Sequence, residues 1–163
     1  MSQFDQRALR DVFGAYVTGV TVVTTLCEDG TPCGVTANSF SSVSLDPPLI
    51  LWSQGLNANS YPVFRDAERF VVNILALDQV EISQRFATPG IDRFAGLSHR
   101  QGAGGVPILD DCMAYLECRK TAVYPGGDHA IFLGEVENFH RSARAPLAFS
   151  SGRYSSAQTL EHS

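Results

Sequence analysis

Apolar residues near the start of the chain recur with the period of an amphipathic helix. The four residues at i, i+3, i+4 and i+7 share one helical face. They are Leu9, Val12, Phe13 and Tyr16. The next stretch, VTGVTVVTT at 17–25, is dense in β-branched residues and predicts a strand.

The pattern then turns to strands joined by turn residues. EDGTPCG supplies a turn into a second strand, GVTANSF, so 17–40 reads as a hairpin. LILW at 49–52 and FVVNIL at 70–75 predict two more strands, the latter apolar enough to be buried on both sides. AYLECRKTAVY and HAIFLGEVENF flank a PGGD turn and predict a second hairpin over 114–139.

Short helices and one long loop interrupt these strands. NANSYPVFRD predicts a short helix with Asn57 or Asn59 near its start. Another helix is expected from Asp78, because Asp78 and Glu81 have capping-box spacing. Residues 88–107 hold five glycines and two prolines and predict a long loop. Without regular βαβ alternation, a parallel Rossmann sheet is disfavoured, and the order favours a mostly antiparallel barrel.

Composition narrows the class of protein. A chain of 163 residues, 44% hydrophobic and 18% charged, is expected to form one domain over 1–163. Its net charge of −5 argues against a nucleic-acid partner. The first residues lack an export signal, and no apolar stretch approaches the ~20 residues that span a bilayer, so a cytoplasmic protein is expected.

The four cysteines form two pairs with the spacing C-x5-C, which fits no common zinc pattern. They are Cys27, Cys33, Cys112 and Cys118. We expect them to be reduced and to bind no metal. The familiar phosphate-loop, dinucleotide, metalloprotease and nucleophile-elbow motifs are also absent from the sequence.

Two polar clusters and one histidine are the candidates for chemistry. Residues 36–42 carry five hydrogen-bonding side chains, which suits a ligand rich in acceptors, such as a flavin. In SQGLNANS at 53–60, Asn59 and Ser60 near a helix start could bind phosphate, although such residues are usually simple caps. His129, in GGDHAIFLG, is either an idle turn residue or a functional one.

With these segments in view, the chain resembles the short-chain flavin reductases, the NAD(P)H:flavin oxidoreductases that serve two-component monooxygenases. The matching segments occur in family order over 17–154. They include VTGVTVVTT, GVTANSFSSVSLDPPLIL, NANSYPVF, FVVNIL, ISQRFA, DRFAG, GGVPILDDCMAYLEC, GGDHAIFLGEV and PLAFSSGRY. The resemblance implies a mainly β fold, the FMN-binding split barrel: a six-stranded antiparallel Greek-key barrel with short helical inserts. It also implies a homodimer with flavin near the subunit interface.

The resemblance assigns a flavin-binding role to three groups of residues. Those expected along the isoalloxazine edge are Thr36, Ala37, Asn38 and Ser39. Those expected beside the ring and the ribityl chain are Ser42, Ser53 and Gln54. Those expected near the phosphate are Asn59, Ser60, Arg85 and Phe86.

The same resemblance places His129 at the nicotinamide, as the one catalytic candidate, with Tyr154 nearby. The implied reaction transfers hydride from NADH or NADPH to FMN or FAD, and reduced flavin then goes to a partner monooxygenase. Two alternatives stay open. One is a flavin-binding module without activity. The other is an enzyme like pyridoxamine-phosphate oxidase, although only Lys120 joins the scattered arginines that could form its basic phosphate site.

Overall fold

The computed structural model describes residues 3–162, and strands dominate that range. Its helices are α1 (Gln6–Gly14), α2 (Tyr61–Asp66) and α3 (Val80–Arg85). Its strands are β1 (Thr18–Gly19), β2 (Thr21–Leu26), β3 (Pro32–Ala37), β4 (Ser41–Leu45), β5 (Pro48–Gly55), β6 (Arg69–Ile74), β7 (His99–Gln101), β8 (Pro107–Leu109), β9 (Ala114–Gly126), β10 (His129–Arg141), β11 (Leu147–Ser150) and β12 (Arg153–Ser156). None of the described helices has the length and apolar character needed to cross a bilayer.

The main sheet closes on itself because of one short connection. Its seven strands are all antiparallel, in the order β3-β2-β6-β9-β10-β5-β4. In a flat sheet of that size the two edges would lie ~29 Å apart. Residues 38–40, which alone connect β3 to β4, span at most ~14 Å. The sheet therefore curls into a barrel, which confirms the predicted antiparallel fold with one strand more than the six expected.

Aromatic side chains fill the interior of the barrel. Trp52 of β5 stacks on Phe132 of β10 with ring centroids 4.8 Å apart. The edge of Phe64, from α2, meets Trp52 at 4.9 Å. Phe70 of β6 joins the same cluster, while its neighbour Val71 is buried in a different one. Strand β6 is thus buried on both faces, as its continuous apolar run predicts.

A second apolar cluster lies beyond the barrel and attaches the remaining elements to it. Phe86, at the end of α3, is fully buried there with Val22 of β2 and Leu109 of β8. Leu147 of β11 and the ring of Tyr154 in β12 pack on the same cluster. Strands β1, β11 and β12 form a separate three-stranded sheet. This cluster fixes α3 and the C-terminal hairpin relative to the barrel.

One buried amide fastens the long loop to the main sheet. Asn73 of β6 is fully buried, and its Nδ2 donates to the Val22 carbonyl at 2.9 Å. Its Oδ1 accepts the backbone N–H of Leu109 at 2.9 Å. Thr24 Oγ1 adds a 2.6 Å bond to the Pro107 carbonyl. The loop predicted over 88–107 is therefore partly a hairpin. Strands β7 and β8 pair with each other, and these bonds hold the hairpin against the main sheet.

Strand boundaries differ from the prediction where the chain changes sheets. The single strand expected at 17–25 is broken at Val20: β1 pairs with β11, whereas β2 joins the barrel. The strand expected at 34–40 runs from Pro32 to Ala37 and then leaves the sheet to cross to β4. The β9–β10 hairpin is confirmed, and each of its strands begins where predicted and ends two residues later, at Gly126 and Arg141.

The short helix predicted in NANSYPVFRD is confirmed with Asn59 near its start, whereas the start predicted at Asp78 is wrong. Helix α2 begins after Ser60, so Asn57 and Asn59 lie in the preceding turn. Helix α3 begins after Gln79, without a side-chain cap, so the Asp78–Glu81 capping box does not form. Gln79 Oε1 instead accepts the Ala76 N–H at 2.8 Å. Because the Gln79 side chain is bound to the Ala76 N–H, it is not available to cap the helix.

We predict that Asn73→Ala lowers the free energy of unfolding by about 2–3 kcal/mol, since it leaves buried backbone groups without partners. Chemical denaturation measures the loss. Gln101→Ala, an exposed amide in the attached hairpin, is the control and should change stability by less than ~0.5 kcal/mol. Equal stability of the two variants would contradict a fastening role for Asn73.

Candidate functional site

Hydrogen bonds from both sides hold the end of β3, where the polar cluster begins. The Thr36 N–H donates to the Phe86 carbonyl at 3.2 Å. Thr36 Oγ1 donates to the Ser83 carbonyl at 2.6 Å. On the barrel side, Thr21 Oγ1 donates to the Ala37 carbonyl at 2.6 Å. The Thr36 hydroxyl is therefore used by the fold, which favours a backbone role for this stretch in ligand binding.

The connection at 38–40 is fastened to strand β5. Ser39 Oγ donates to the Ser53 carbonyl at 2.8 Å and accepts the Ser53 N–H at 2.9 Å. The structure thus brings Ser39 and Ser53 together, as the resemblance implies. Ser42 lies apart from them, exposed on the edge strand β4 opposite Ile50.

Gln54 has an unsatisfied polar atom. The side chain is only 5% exposed, and its Nε2 donates to Ser60 Oγ at 2.7 Å. Its enclosed Oε1 accepts no hydrogen bond within residues 3–162. An unpaired buried acceptor costs ~1–3 kcal/mol, and this atom has no exposed surface through which a ligand could reach it without a rearrangement of its surroundings.

A first cleft, of about 310 Å³, lies between the end of α1 and the connection to β4. Asn38 and Phe40 line it together with residues in and just before the first strands, which are Tyr16, Val17, Thr18, Gly19 and Thr21. We call it the N-terminal cleft. Asn38 is exposed at this cleft, in keeping with its predicted role as a ligand contact.

A second cleft, of about 460 Å³, contains both predicted phosphate ligands of the 53–60 cluster. Asn59 and Ser60 lie in its wall, and Arg93 lies there with them. We call it the arginine cleft. Arg93 donates through Nη1 to the Gly34 carbonyl at 2.7 Å and through Nε to the Thr88 carbonyl at 3.1 Å. These bonds hold the guanidinium in the cleft wall, beside Asn59 and Ser60 of the 53–60 cluster.

Sequence reasoning missed Arg93, although DRFAG belongs to the segments that carry the resemblance. It selected Arg85 instead, and Arg85 does not line the arginine cleft. Arg85 Nη1 donates to the Ala95 carbonyl at 2.9 Å and so braces the 93–95 stretch. Phe86 is also absent from the cleft wall, because its ring is fully buried and meets Phe94 edge-on at 5.1 Å.

His129 opens strand β10 at the turn between the two longest strands. It pairs with Gly126 of β9 and Gly55 of β5. Gly127 in the turn has φ 66°, a conformation that favours glycine. His129 Nδ1 lies 2.7 Å from Asp128 Oδ1, and this hydrogen bond lowers the pKa of the Asp128 carboxyl. The carboxylate orients a half-exposed imidazole and leaves Nε2 as the nitrogen available to a ligand.

Tyr154 is held by the core at its ring and by α3 at its hydroxyl. The ring meets Phe149 edge-on at 5.3 Å, and the hydroxyl lies 2.9 Å from Ser83 Oγ. Ser83 is buried in α3, the helix whose carbonyls hold Thr36. Tyr154 is therefore linked to the flavin-site candidates, whereas no hydrogen bond links it to His129 within the described residues.

The donor set of these clefts suits a hydrogen-bonding ligand that carries an anionic group. Within residues 3–162, no three His, Cys, Asp or Glu side chains converge as a metal site would require. All four cysteines are free, and burial raises the pKa of Cys112 and of Cys118 to about 12. The site offers hydroxyls, amides, backbone groups, one arginine and one histidine, which can bind and orient a nucleotide.

Comparison with known proteins identifies the class of site. Residues 13–158 match the flavin reductase like domain. The reductase component of a flavin-dependent trigonelline monooxygenase from Acinetobacter baylyi is 47% identical over 94% of this chain and 51% of its own length. The FMN reductase (NADH) SmoA from Agrobacterium fabrum is 41% identical over 92% of this chain and 85% of its own length. The NADH:FAD oxidoreductase SgcE6 from Streptomyces globisporus, solved with NAD and FAD fragments, has a TM-score of 0.89 at 40% identity, covering 94% and 93% of the two chains.

The structure therefore has the split-barrel fold of the flavin reductases, and the chain belongs to the flavin reductase like domain family. It spans about half the length of the first two curated relatives, 51% of one and 49% of the other.

Proposed function

We propose that this chain is an NAD(P)H-dependent flavin reductase. It takes hydride from NADH or NADPH, passes it to FMN or FAD, and supplies reduced flavin to a partner flavin-dependent monooxygenase. The observation that carries the proposal is the arginine cleft, where Asn59, Ser60 and the guanidinium of Arg93 share one wall. The phosphate of a flavin nucleotide suits this combination of neutral hydrogen-bonding groups and one cation. Relatives described as an FMN reductase and as monooxygenase reductase components support the same reaction.

The residues present fit a bound flavin. Thr36, Ala37, Asn38 and Ser39 would bind the isoalloxazine edge, mainly through backbone groups. The Thr36 N–H and the Ala37 carbonyl already take part in the bonds that hold this stretch, so other backbone groups of these residues would make the contacts. Preorganised N–H donors stabilise negative charge on that edge without reorganising. Ser42, Ser53 and Gln54 would lie beside the ring and ribityl chain, which for Ser42 requires the ligand to extend to strand β4, where that side chain is exposed. Hydride transfer itself is the chemistry that the two nucleotides supply when bound.

An anaerobic turnover assay tests the proposal. NADH or NADPH is mixed with excess FMN or FAD, and nicotinamide oxidation is followed by absorbance. We expect oxidation with flavin alone as acceptor, and reduced flavin in the protein-free filtrate in excess of protein, because short neutral groups dominate the flavin contacts. Binding without turnover would indicate a flavin-binding module. In a parallel aerobic sample without nicotinamide, with FMN bound and oxygen as the oxidant, oxidation of pyridoxamine phosphate would indicate the related oxidase.

The flavin phosphate is assigned to the arginine cleft. Asn59, Ser60 and Arg93 share its wall, and a guanidinium suits phosphate through charge-assisted hydrogen bonds. Arg85 and Phe86 act on this cleft indirectly. Arg85 donates to the Ala95 carbonyl and so braces the 93–95 stretch, and the Phe86 carbonyl accepts the Thr36 N–H. The assignment makes Arg93 the principal charge for the phosphate.

We predict that Arg93→Ala weakens FMN binding about 10- to 100-fold, because a hydrogen bond to a charged group is worth ~1.5–3 kcal/mol. Riboflavin, which lacks the phosphate, should bind the variant and the wild type equally. Quenching of flavin fluorescence measures both affinities. Arg141→Ala, which removes an exposed arginine at the end of β10, is the matched control with little expected effect. A selective loss of FMN affinity in Arg85→Ala, with Arg93→Ala unaffected, would transfer the role to Arg85.

His129 is assigned to the nicotinamide, with Asp128 holding its Nδ1. The nicotinamide C4 must approach the flavin N5 within ~3–3.5 Å for hydride transfer, so positioning is the main task of the protein. We predict that His129→Ala raises the KM for NADH or NADPH about tenfold, as expected for a lost hydrogen bond of ~1.5 kcal/mol, and leaves flavin affinity unchanged. Steady-state kinetics and fluorescence titration measure the two. Weakened flavin binding with unaltered nicotinamide kinetics would place His129 at the other ligand.

We also propose a homodimer, formed over the apolar face of α1. Val12, Phe13 and Tyr16 are 68–79% exposed, and α1 buries none of its residues within the chain. Tyr16 and Val17 continue this face into the N-terminal cleft, beside Asn38. A second copy seated there would cover a patch too apolar for solvent and would complete the wall of the cleft.

Light scattering at micromolar concentration should give twice the 17.7 kDa of one chain. Phe13→Asp should shift the protein toward monomer, because it puts a charge into the interface. Phe139→Asp replaces an equally exposed phenylalanine on β10 and should leave the dimer intact. A fully active wild-type monomer would contradict the shared site.

The proposed setting is the cytoplasm, where thiols stay reduced. Cys27, Cys33, Cys112 and Cys118 are all free. Burial raises the pKa of Cys33 to about 11, and a high thiol pKa leaves little of the reactive thiolate. The ligands are expected to be nucleotides and a partner oxygenase, without nucleic acid or membrane.

A further inference from the structure

The hydroxyl of Tyr154 belongs to a chain of contacts that ends at the flavin-site candidates. It lies 2.9 Å from Ser83 Oγ, and the carbonyl of Ser83 accepts Thr36 Oγ1 at 2.6 Å. One helical turn further on, the Phe86 carbonyl accepts the Thr36 N–H at 3.2 Å. Thr36 thus takes both of its anchors from the 83–86 stretch, and Tyr154 is attached to the first residue of that stretch.

Helix α3 depends on outside contacts for its position. It has six residues, and no side chain caps its start. Helices this short are not stable by themselves, so tertiary contacts decide where they lie. Phe86 is buried at one end, and Gln79 is bonded to the Ala76 N–H before the other. In the middle of α3, the Tyr154 hydroxyl contacts the buried side chain of Ser83.

Tyr154 is poorly placed to leave this position. Its strand is paired with β11, where Tyr154 stands opposite Phe149 and packs on that ring. The tyrosine ring also lies against the buried cluster that contains Phe86. Swinging the side chain toward a nucleotide would break the bond to Ser83, which is only 1% exposed, and would uncover apolar surface.

We propose that Tyr154 is a positioning residue for flavin, acting through Ser83 and Thr36, and that it does not contact the nicotinamide. This inference rests on the proposed function. It differs from the placement that the resemblance implies, because Tyr154 here serves the flavin and not the nicotinamide. The C-terminal hairpin thereby sets the place of the β3 end, where backbone groups would meet the isoalloxazine edge.

The test is a double-substitution cycle with Tyr154→Phe and Ser83→Ala, which remove the two hydroxyls and keep the ring and the helix. We expect each single variant to weaken flavin binding about two- to tenfold, as the loss of one neutral hydrogen bond implies. The double variant should be no weaker than the worse single one, because both changes remove the same interaction. The KM for NADH at saturating flavin should be unchanged, and the absorption spectrum of bound flavin should shift in all three variants.

Tyr115→Phe serves as the matched control, since it removes a tyrosine hydroxyl from strand β9 outside both clefts. It should leave flavin affinity and spectrum at wild-type values. A raised KM for NADH with unchanged flavin affinity in Tyr154→Phe would overturn the proposal and place Tyr154 at the nicotinamide. Additive losses in the double variant would also overturn it. Wild-type protein without flavin binding would refute the proposed function itself, whereas normal wild-type binding with an unaffected Tyr154→Phe would refute the positioning role alone.

Discussion

The three-residue connection between β3 and β4 is the constraint on which the rest of the structure depends. It joins the two edges of a seven-stranded sheet, so the sheet has to close. Closure sets the aromatic rings of β5, β6 and β10 against one another inside the barrel. It also carries the polar connection across to β5, where Ser39 bonds to both backbone groups of Ser53. The same few residues therefore close the fold and bring the candidate flavin ligands together.

The polar residues around this connection are mostly committed to the fold. The hydroxyls of Thr36 and Ser39 bond to backbone groups, and Arg93 donates to two carbonyls. A ligand would meet backbone groups and side chains whose positions are already determined, which lowers the entropic cost of binding. Gln54 is the exception, since its buried Oε1 has no partner within the described residues.

Patterns of neighbouring residues predicted the strands well and the element ends poorly. FVVNIL and the hairpin over 114–139 were recognisable because β-branched and alternating residues report directly on a pleated, buried surface. The break at Val20 was not recognisable from the sequence. Both halves of VTGVTVVTT suit strands, and they differ only in the strands with which they pair. The cap expected at Asp78 failed because Gln79 binds the Ala76 N–H and the helix begins later.

The sequence by itself determined the class of fold, the polar stretches that follow the strands, and the glycine turn before His129. These are local properties, set by the side chain and backbone preferences of adjacent residues. Tertiary structure alone decided which arginine reaches the cleft, because Arg85 and Arg93 differ only in where α3 and the following loop pack. It likewise buried the ring of Phe86 and bonded the Tyr154 hydroxyl to Ser83. Contacts between residues 71 positions apart follow from the closed barrel and its second core, and no local pattern encodes them.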